Sequence, residues 1–351
     1  MPAFILSFGL SQLFYGPASD RFGRKPVIIF GLMVFLIGTA MSYMAQSVEM
    51  VILGRIGQGL GAGAAPVVGR AILRDTHSGE KLARAMAMNW AIFGVGIITA
   101  PLLGYWVISL GGWPLVFVSI GALGAYLLIY GGFFYRETNN APDRAALHPS
   151  QMINAACAVF SHHQSRYFMV CAVFAYCALL TYITNAPRLY QQAFGVEGFG
   201  FSAFFAFTGI GIIIGQFANR SLIVRLGVLN VLRLASLIIF IACVSIGLSI
   251  WLGFSNPYVF TGLMFMFNTS FLVIVSNTAT LTLHPHPKIA GLTSSIFGLM
   301  TNGLGGIFVV LTITPIAGLL DRWALAMTAM TTLCLLMTVF YPANRIEFHE
   351  N

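Results

Sequence analysis

Charge is what this sequence has least of. Only 8% of its 351 residues are Asp, Glu, Lys or Arg, where soluble domains carry roughly 25%, and that scarcity excludes an ordinary water-soluble domain. Cysteine is sparse too. Cys157, Cys171, Cys177, Cys243 and Cys334 stand singly in apolar or interfacial stretches, which argues against a disulfide framework or a thiolate metal site and assigns them to packing. Carboxylates are missing from the apolar runs, since all ten acidic residues fall in connections or at their ends. The histidines, including the adjacent pair His162 and His163, lie in connections or the tail. No acid, base, nucleophile or metal cluster converges, so the chain is not expected to be an enzyme, and no cofactor, metal or nucleic acid is expected to bind it. No secretory signal is visible either, because Met1-Pro2 leads straight into apolar residues.

What is present in quantity is hydrocarbon: 58% of residues are hydrophobic and mean hydropathy is +0.85. A membrane-spanning helix needs about 20 mostly apolar residues. Eleven stretches qualify, over residues 2–19, 26–46, 48–73, 84–109, 114–135, 166–189, 200–220, 228–252, 257–283, 289–315 and 322–342. The expected fold class is an all-α membrane protein. Of the 18 Lys and Arg residues, 15 fall in or beside alternate connections and the C-terminal tail, and the positive-inside rule makes that side cytoplasmic. The N-terminus is then outside and the C-terminus in the cytoplasm.

The longest polar interruption runs from Arg136 to Arg166 and contains Pro142 and Pro149. It divides the chain into an N-terminal bundle (1–135), a cytoplasmic linker (136–165), a C-terminal six-helix bundle (166–342) and a cytoplasmic tail (343–351). Within the linker, Ser150 to Ser161 reads as an amphipathic surface helix with Met152, Ile153, Ala156, Val159 and Phe160 on one side. The halves echo each other: Gly16-Pro-Ala-Ser-Asp20-Arg21 has a partner in Gly215-Gln-Phe-Ala-Asn219-Arg220. Equal halves would give six spans each, so five spans before the linker imply one helix absent ahead of Met1.

Gly16-Pro17-Ala18-Ser19-Asp20-Arg21-Phe22-Gly23-Arg24-Lys25 resembles the cytoplasmic turn after the second helix in the major facilitator superfamily. Gly16 and Gly23 permit a tight turn, and Arg21, Arg24 and Lys25 are expected to hold it against anionic lipid. The resemblance implies that Asp20 faces the positive N-terminal end of an opposite helix and acts as a conformational latch, with the helix starting near Ala290 as partner. The plainer alternative is that Asp20 balances a basic loop. Arg55-Ile-Gly57-Gln58-Gly59-Leu-Gly61-Ala-Gly63 is similar to the superfamily's fourth-helix motif, whose arginine serves proton transfer or anchors substrate. Arg55 and Gln58 are the transport and coupling candidates, while Gly57, Gly61, Ala65 and Gly69 form a small-residue packing face. The alternative for Arg55 is to snorkel toward the outer surface. Gly94, Gly96, Pro101 and Gly104 resemble the fifth-helix motif of the antiporter branch, against which stands a kinked packing helix.

The bicyclomycin-resistance branch in particular resembles this chain at Arg70-Ala-Ile-Leu-Arg74-Asp75, Tyr182-Ile-Thr-Asn-Ala-Pro187 and His284-Pro285-His286-Pro287-Lys288. The implied fold is the major facilitator fold with 11 transmembrane helices (5 + 6). The implied function is export of a small amphipathic drug or metabolite by alternating access in the inner membrane. Proton coupling is implied for full-length relatives, with the proton gradient as energy source, but without a carboxylate in a span this chain lacks a proton carrier beside Arg55. Tyr182, Asn185 and Asn268 are the substrate-cavity candidates, each of which has helix-to-helix bonding as its plain alternative. The expected partners are the lipid bilayer and a small-molecule substrate, and the expected state is a monomer. Metabolite uptake on the same fold, or an inactive truncated product, are the competing readings.

Overall fold

The computed structural model describes residues 2–77, 79–139, 142–143, 146–286, 289–316 and 319–342. The predicted tail at 343–351 lies outside the described residues, as do parts of the linker and Lys288. The described chain is helical: α1 (Pro2–Phe22), α2 (Arg24–Tyr43), α3 (Val48–Ala62), α4 (Ala64–Thr76), α5 (Gly79–Phe133), α6 (Pro149–Ser161), α7 (His163–Phe194), α8 (Gly198–Leu226), α9 (Val228–Trp251), α10 (Pro257–Leu283), α11 (Ala290–Gly298), a π-helical turn (Leu299–Leu304), α12 (Gly305–Ile316) and α13 (Leu320–Phe340).

Nine of the described helical stretches are long and apolar enough to cross a membrane, against the eleven expected. Two physical causes account for the difference. Ser7, Ser11, Gln12, Tyr15 and Ser19 interrupt the apolar run of α1, which is not among the nine, and the two spans expected at 84–109 and 114–135 run together as α5. The backbone of α5 nonetheless leaves helical geometry at Gly111 and Gly112, the latter with φ 71°, in the gap between those two spans. Helix starts follow local chemistry. Asn256 caps α10 by accepting from the Tyr258 and Val259 amides at 3.0 Å ahead of Pro257, and Ser47 caps α3 through the Met50 amide.

The contacts divide the chain into two compact units. The first comprises residues 1–90, 106–162 and 286–307, and the second 91–105, 163–285 and 308–351.

In the first unit, α3 is clasped by α1 and α2 through small residues. A Cβ on Gly38 would meet Gly54 O at 2.6 Å, and one on Gly31 would meet Gly61 O at 2.9 Å. On the other side Gly59 and Gly63 abut Ser7 and Ser11 of α1. Gly57 touches Gly38 of α2, but Gly69, placed by sequence on the same small-residue face, has open space around it. The helix divides at Gly63 into α3 and α4, which turns the fourth member of that face elsewhere. The linker helix α6 packs on α11, and Ala155 and Val159 are buried, whereas Ile153 and Phe160, expected on the same side, are exposed. A face at i, i+3, i+4 and i+7 uses Met152, Ala155, Ala156 and Val159 instead.

In the second unit, α7 packs against α10 and α13, and α8 and α9 against α10. Its centre is aromatic. Tyr190 lies among Phe194, Phe201, Phe204 and Phe260, and Trp323 of α13 touches both Phe260 and Tyr182. Cys171 of α7 and Cys334 of α13, far apart in sequence, have Sγ atoms 3.5 Å apart in this core and are unbridged.

Candidate functional site

The turn between α1 and α2 is built on Gly23, whose φ of 97° is strained for any residue with a Cβ. It places Arg24 at the first position of α2 with its side chain directed inward. Arg24 Nη1 pairs with Asp20 Oδ1 and donates to Ser19 Oγ at 2.7 Å, and Nε donates to Asp75 Oδ2 at 2.9 Å. Arg24 is 8% exposed, so the expectation that it faces anionic lipid is corrected: two carboxylates and a hydroxyl take up its charge, and that arrangement holds α1, α2 and α4 together. Arg21, by contrast, is exposed with its guanidinium over the Phe22 ring.

A third carboxylate completes the turn. Glu137 Oε1 accepts from the Arg24, Thr138 and Asn139 amides at 2.8–2.9 Å, and Oε2 from the Lys25 amide at 2.9 Å. Burial pushes the Glu137 carboxyl up, but these four N–H donors outweigh it and hold it below the usual carboxylate range. Asn139 Nδ2 donates to the Asp20 carbonyl at 2.9 Å. Sequence reasoning missed Glu137 as a site residue. Its one local signal is an acid directly after Arg136 at the start of the linker.

Among the described residues, the Asp20 carboxylate is bonded on one side only. Oδ1 is held by Arg24, while Oδ2 lies 3.7 Å from the position a Gly291 Cβ would occupy, beside the first turn of α11. Gly291 thus admits the carboxylate to a helix start, where unpaired amides and the helix dipole favour negative charge. Higher along the same contact, α1 meets α11 and the π-helical turn through paired small residues: Gly16 with Ser295, Gly298 with Gln12, and Gly9 with Gly303. The corresponding position in the second unit is neutral. Asn219 Oδ1 accepts from Asn277 Nδ2 at 3.0 Å, and Asn219 Nδ2 donates to Ser276 Oγ at 3.3 Å.

Arg55 of α3 is half-buried and turned into the first unit. Its Nη1 donates to Gln58 Oε1 at 3.0 Å, and its guanidinium lies 5.6 Å from the Phe117 ring centroid and 5.8 Å from that of Phe4. Gln58 Nε2 in turn donates to Thr39 Oγ1 at 2.9 Å. Close contact of Gly38 with the backbone of Gly54 to Gln58 brings Thr39 within reach.

The other candidates lie in the second unit. Gly94 is buried against Ile213, but Gly96 and Gly104 have open space around them and Pro101 is half-buried. The close approach expected from the four together is thus made by Gly94 alone. Tyr182, Asn185 and Asn268 are each at most 3% exposed. The Tyr182 hydroxyl is 3.3 Å from Thr208 Oγ1, and Asn185 Nδ2 donates to Thr181 O at 2.9 Å. Asn185 Oδ1, Asn268 Oδ1 and Trp323 Nε1 are buried with no hydrogen-bond partner among the described residues.

Three comparisons bear on this geometry. The family profile described as Major Facilitator Superfamily matches residues 1–310. A bicyclomycin resistance protein homolog of Haemophilus influenzae is 27% identical over 308 residues, covering 88% of this chain and 77% of that protein. The multidrug resistance protein MdtL of Vibrio parahaemolyticus is 27% identical over 309 residues, covering 84% and 74%. Among solved structures, a D-xylose-proton symporter superposes with a TM-score of 0.79 at 14% identity, covering 99% of this chain and 88% of that one, a likeness of fold.

Proposed function

Because the chain belongs to the major facilitator superfamily, and is therefore a multi-pass membrane transporter rather than an enzyme, we propose that it exports small amphipathic drugs or metabolites by alternating access. The observation that carries the reading is the Asp20 carboxylate, tied to Arg24 on one side and set against the start of α11 at Gly291 on the other. A charge on a helix start is a contact that forms and breaks as a unit, with a typical worth of about 0.3–1 kcal/mol at an exposed site and up to about 2 kcal/mol where partly buried. That is the right size for a latch biasing one transport state without freezing it. The resistance proteins among its relatives support outward transport of drugs. In this reading the chain sits in the inner membrane as a monomer with its C-terminus in the cytoplasm, and Tyr182, Asn185 and Asn268 contribute to the substrate path.

The test is accumulation of a panel of fluorescent and radiolabelled amphipaths in cells stripped of their own efflux pumps, with and without the chain. Lower accumulation of some compounds is expected, with a changed rate in Asp20→Asn. Unchanged accumulation across the whole panel would overturn export and favour an inactive product. Counterflow in proteoliposomes separates export from facilitated uptake, and dependence on an imposed pH gradient tests proton coupling.

A further inference from the structure

The second unit holds two nucleophilic side chains that the transport reading does not use. Cys171 of α7 and Cys334 of α13 stand 163 residues apart in sequence, yet their Sγ atoms lie 3.5 Å from each other and neither residue is more than 1% exposed. Cys171 Sγ is also 3.9 Å from the Cys334 carbonyl oxygen, so the helix backbones are close at this level. Contacts on either side hold them there. The Tyr167 hydroxyl donates to Met337 O at 2.8 Å, and the Tyr182 and Trp323 ring centroids are 6.4 Å apart. All three contacts follow one antiparallel register of α7 on α13, so helix packing sets the sulfurs opposite each other.

Ser236 Oγ of α9 lies 3.8 Å from Cys334 Sγ. No group of three or more His, Cys, Asp and Glu fit to hold a metal occurs among the described residues, whereas a structural zinc takes four ligands of that kind. Two thiols in contact without such company are the starting arrangement of a disulfide. Its sulfurs sit about 2.05 Å apart, so the pair at 3.5 Å has about 1.5 Å to close.

We propose that Cys171 and Cys334 are an oxidisable dithiol, a modification site at which an organic hydroperoxide dissolved in the lipid phase is reduced and a disulfide ties α7 to α13. One thiol sulfur attacks the terminal hydroperoxide oxygen; the O–O bond breaks, the alkoxide leaves with that thiol's proton as an alcohol, and a sulfenic acid remains. The second sulfur attacks the sulfenic sulfur; the S–S bond forms, the S–O bond breaks, and hydroxide leaves with the second proton as water. Two thiols and one hydroperoxide thus give one disulfide, one alcohol and one water. Helices α7, α9 and α13 are each long and apolar enough to cross a membrane, and the sulfurs have almost no surface. Reaction therefore waits on a transient parting of these helices, and it selects a small, neutral, hydrocarbon-soluble oxidant. The inference does not depend on the direction or substrate of transport.

The experiment uses the full chain with Cys157→Ser, which removes the exposed cysteine and leaves the four buried ones, in phosphatidylcholine vesicles treated with tert-butyl hydroperoxide. Counting with polyethylene glycol maleimide after denaturation is expected to show two of the four thiols lost, and dithiothreitol should restore them. Mass spectrometry should find fragments joined through Cys171 and Cys334. Adding Cys171→Ser or Cys334→Ser, which preserve side-chain size, should abolish the joined fragment and leave on the remaining sulfur a sulfenic acid that dimedone traps. The oxidised protein should unfold about 5 °C above the reduced one, because the bond closes a long loop in the unfolded chain. Survival of all four thiols would overturn the proposal whether or not the serine variants fold. A disulfide mapped to another pair, or one that leaves the unfolding midpoint unmoved, would also overturn it.

Discussion

Replacing Arg24 with alanine is the sharpest test of how the α1–α2 turn is held. The side chain is 9% exposed and carries hydrogen bonds to Asp20, Ser19 and Asp75. Hydrogen bonds to charged groups are worth about 1.5–3 kcal/mol each, but the Asp20 and Asp75 side chains are 37% and 21% exposed, so water recovers part of the loss once the arginine is gone. What water does not relieve is two carboxylates left facing each other across the vacated position. Truncating one partner of a fully buried pair costs about 3–5 kcal/mol, and discounting for this exposure leaves about 2–3 kcal/mol. In a thermal unfolding assay in detergent that is a fall on the order of 5 °C. Arg21→Ala, next in the motif but exposed, should stay within about 0.5 kcal/mol of the parent. If the two variants unfold at the same temperature, Arg24 is not the keystone of the turn and its inward contacts carry no energy.

Two further predictions follow from backbone and charge. Gly38→Ala drives a Cβ into Gly54 O and neighbouring backbone, so α2 and α3 must separate at a cost of about 1–3 kcal/mol; Gly96→Ala has open space and should be neutral or stabilising by about 0.5–1 kcal/mol, both read as unfolding midpoints. Glu137 is held below its ordinary range in the folded chain, so its contribution is present above the unfolded carboxylate value of about 4.3 and is lost as pH falls through the lower folded value. Glu137→Gln should flatten the acid limb of stability against pH, and an unchanged limb would assign acid loss to another group.

Membrane character and family were legible because both are written locally. Runs of about 20 apolar residues and the ten-residue turn motif need no distant partner to be recognised. Asp20 and Arg55 were likewise picked out by their motifs, and the helix near Ala290 was named as the partner of Asp20 from the resemblance. Arg24 was misplaced for the opposite reason: the Asp75 carboxylate that its guanidinium meets lies 51 residues away, and nothing in Gly23-Arg24-Lys25 tells which of two adjacent cations turns inward. Gly96 and Gly69 failed as packing residues because a glycine pattern records permission for close approach, not the presence of a neighbour.

The amino-acid string alone was thus enough to assign the solvent, the class of fold and the family, since hydrocarbon burial and turn chemistry are properties of contiguous residues. Which cation is sequestered, how Gln58 is oriented on Arg55, and which glycines touch anything were decided by packing. Those outcomes depend on side chains that meet only after helices remote in sequence have come together.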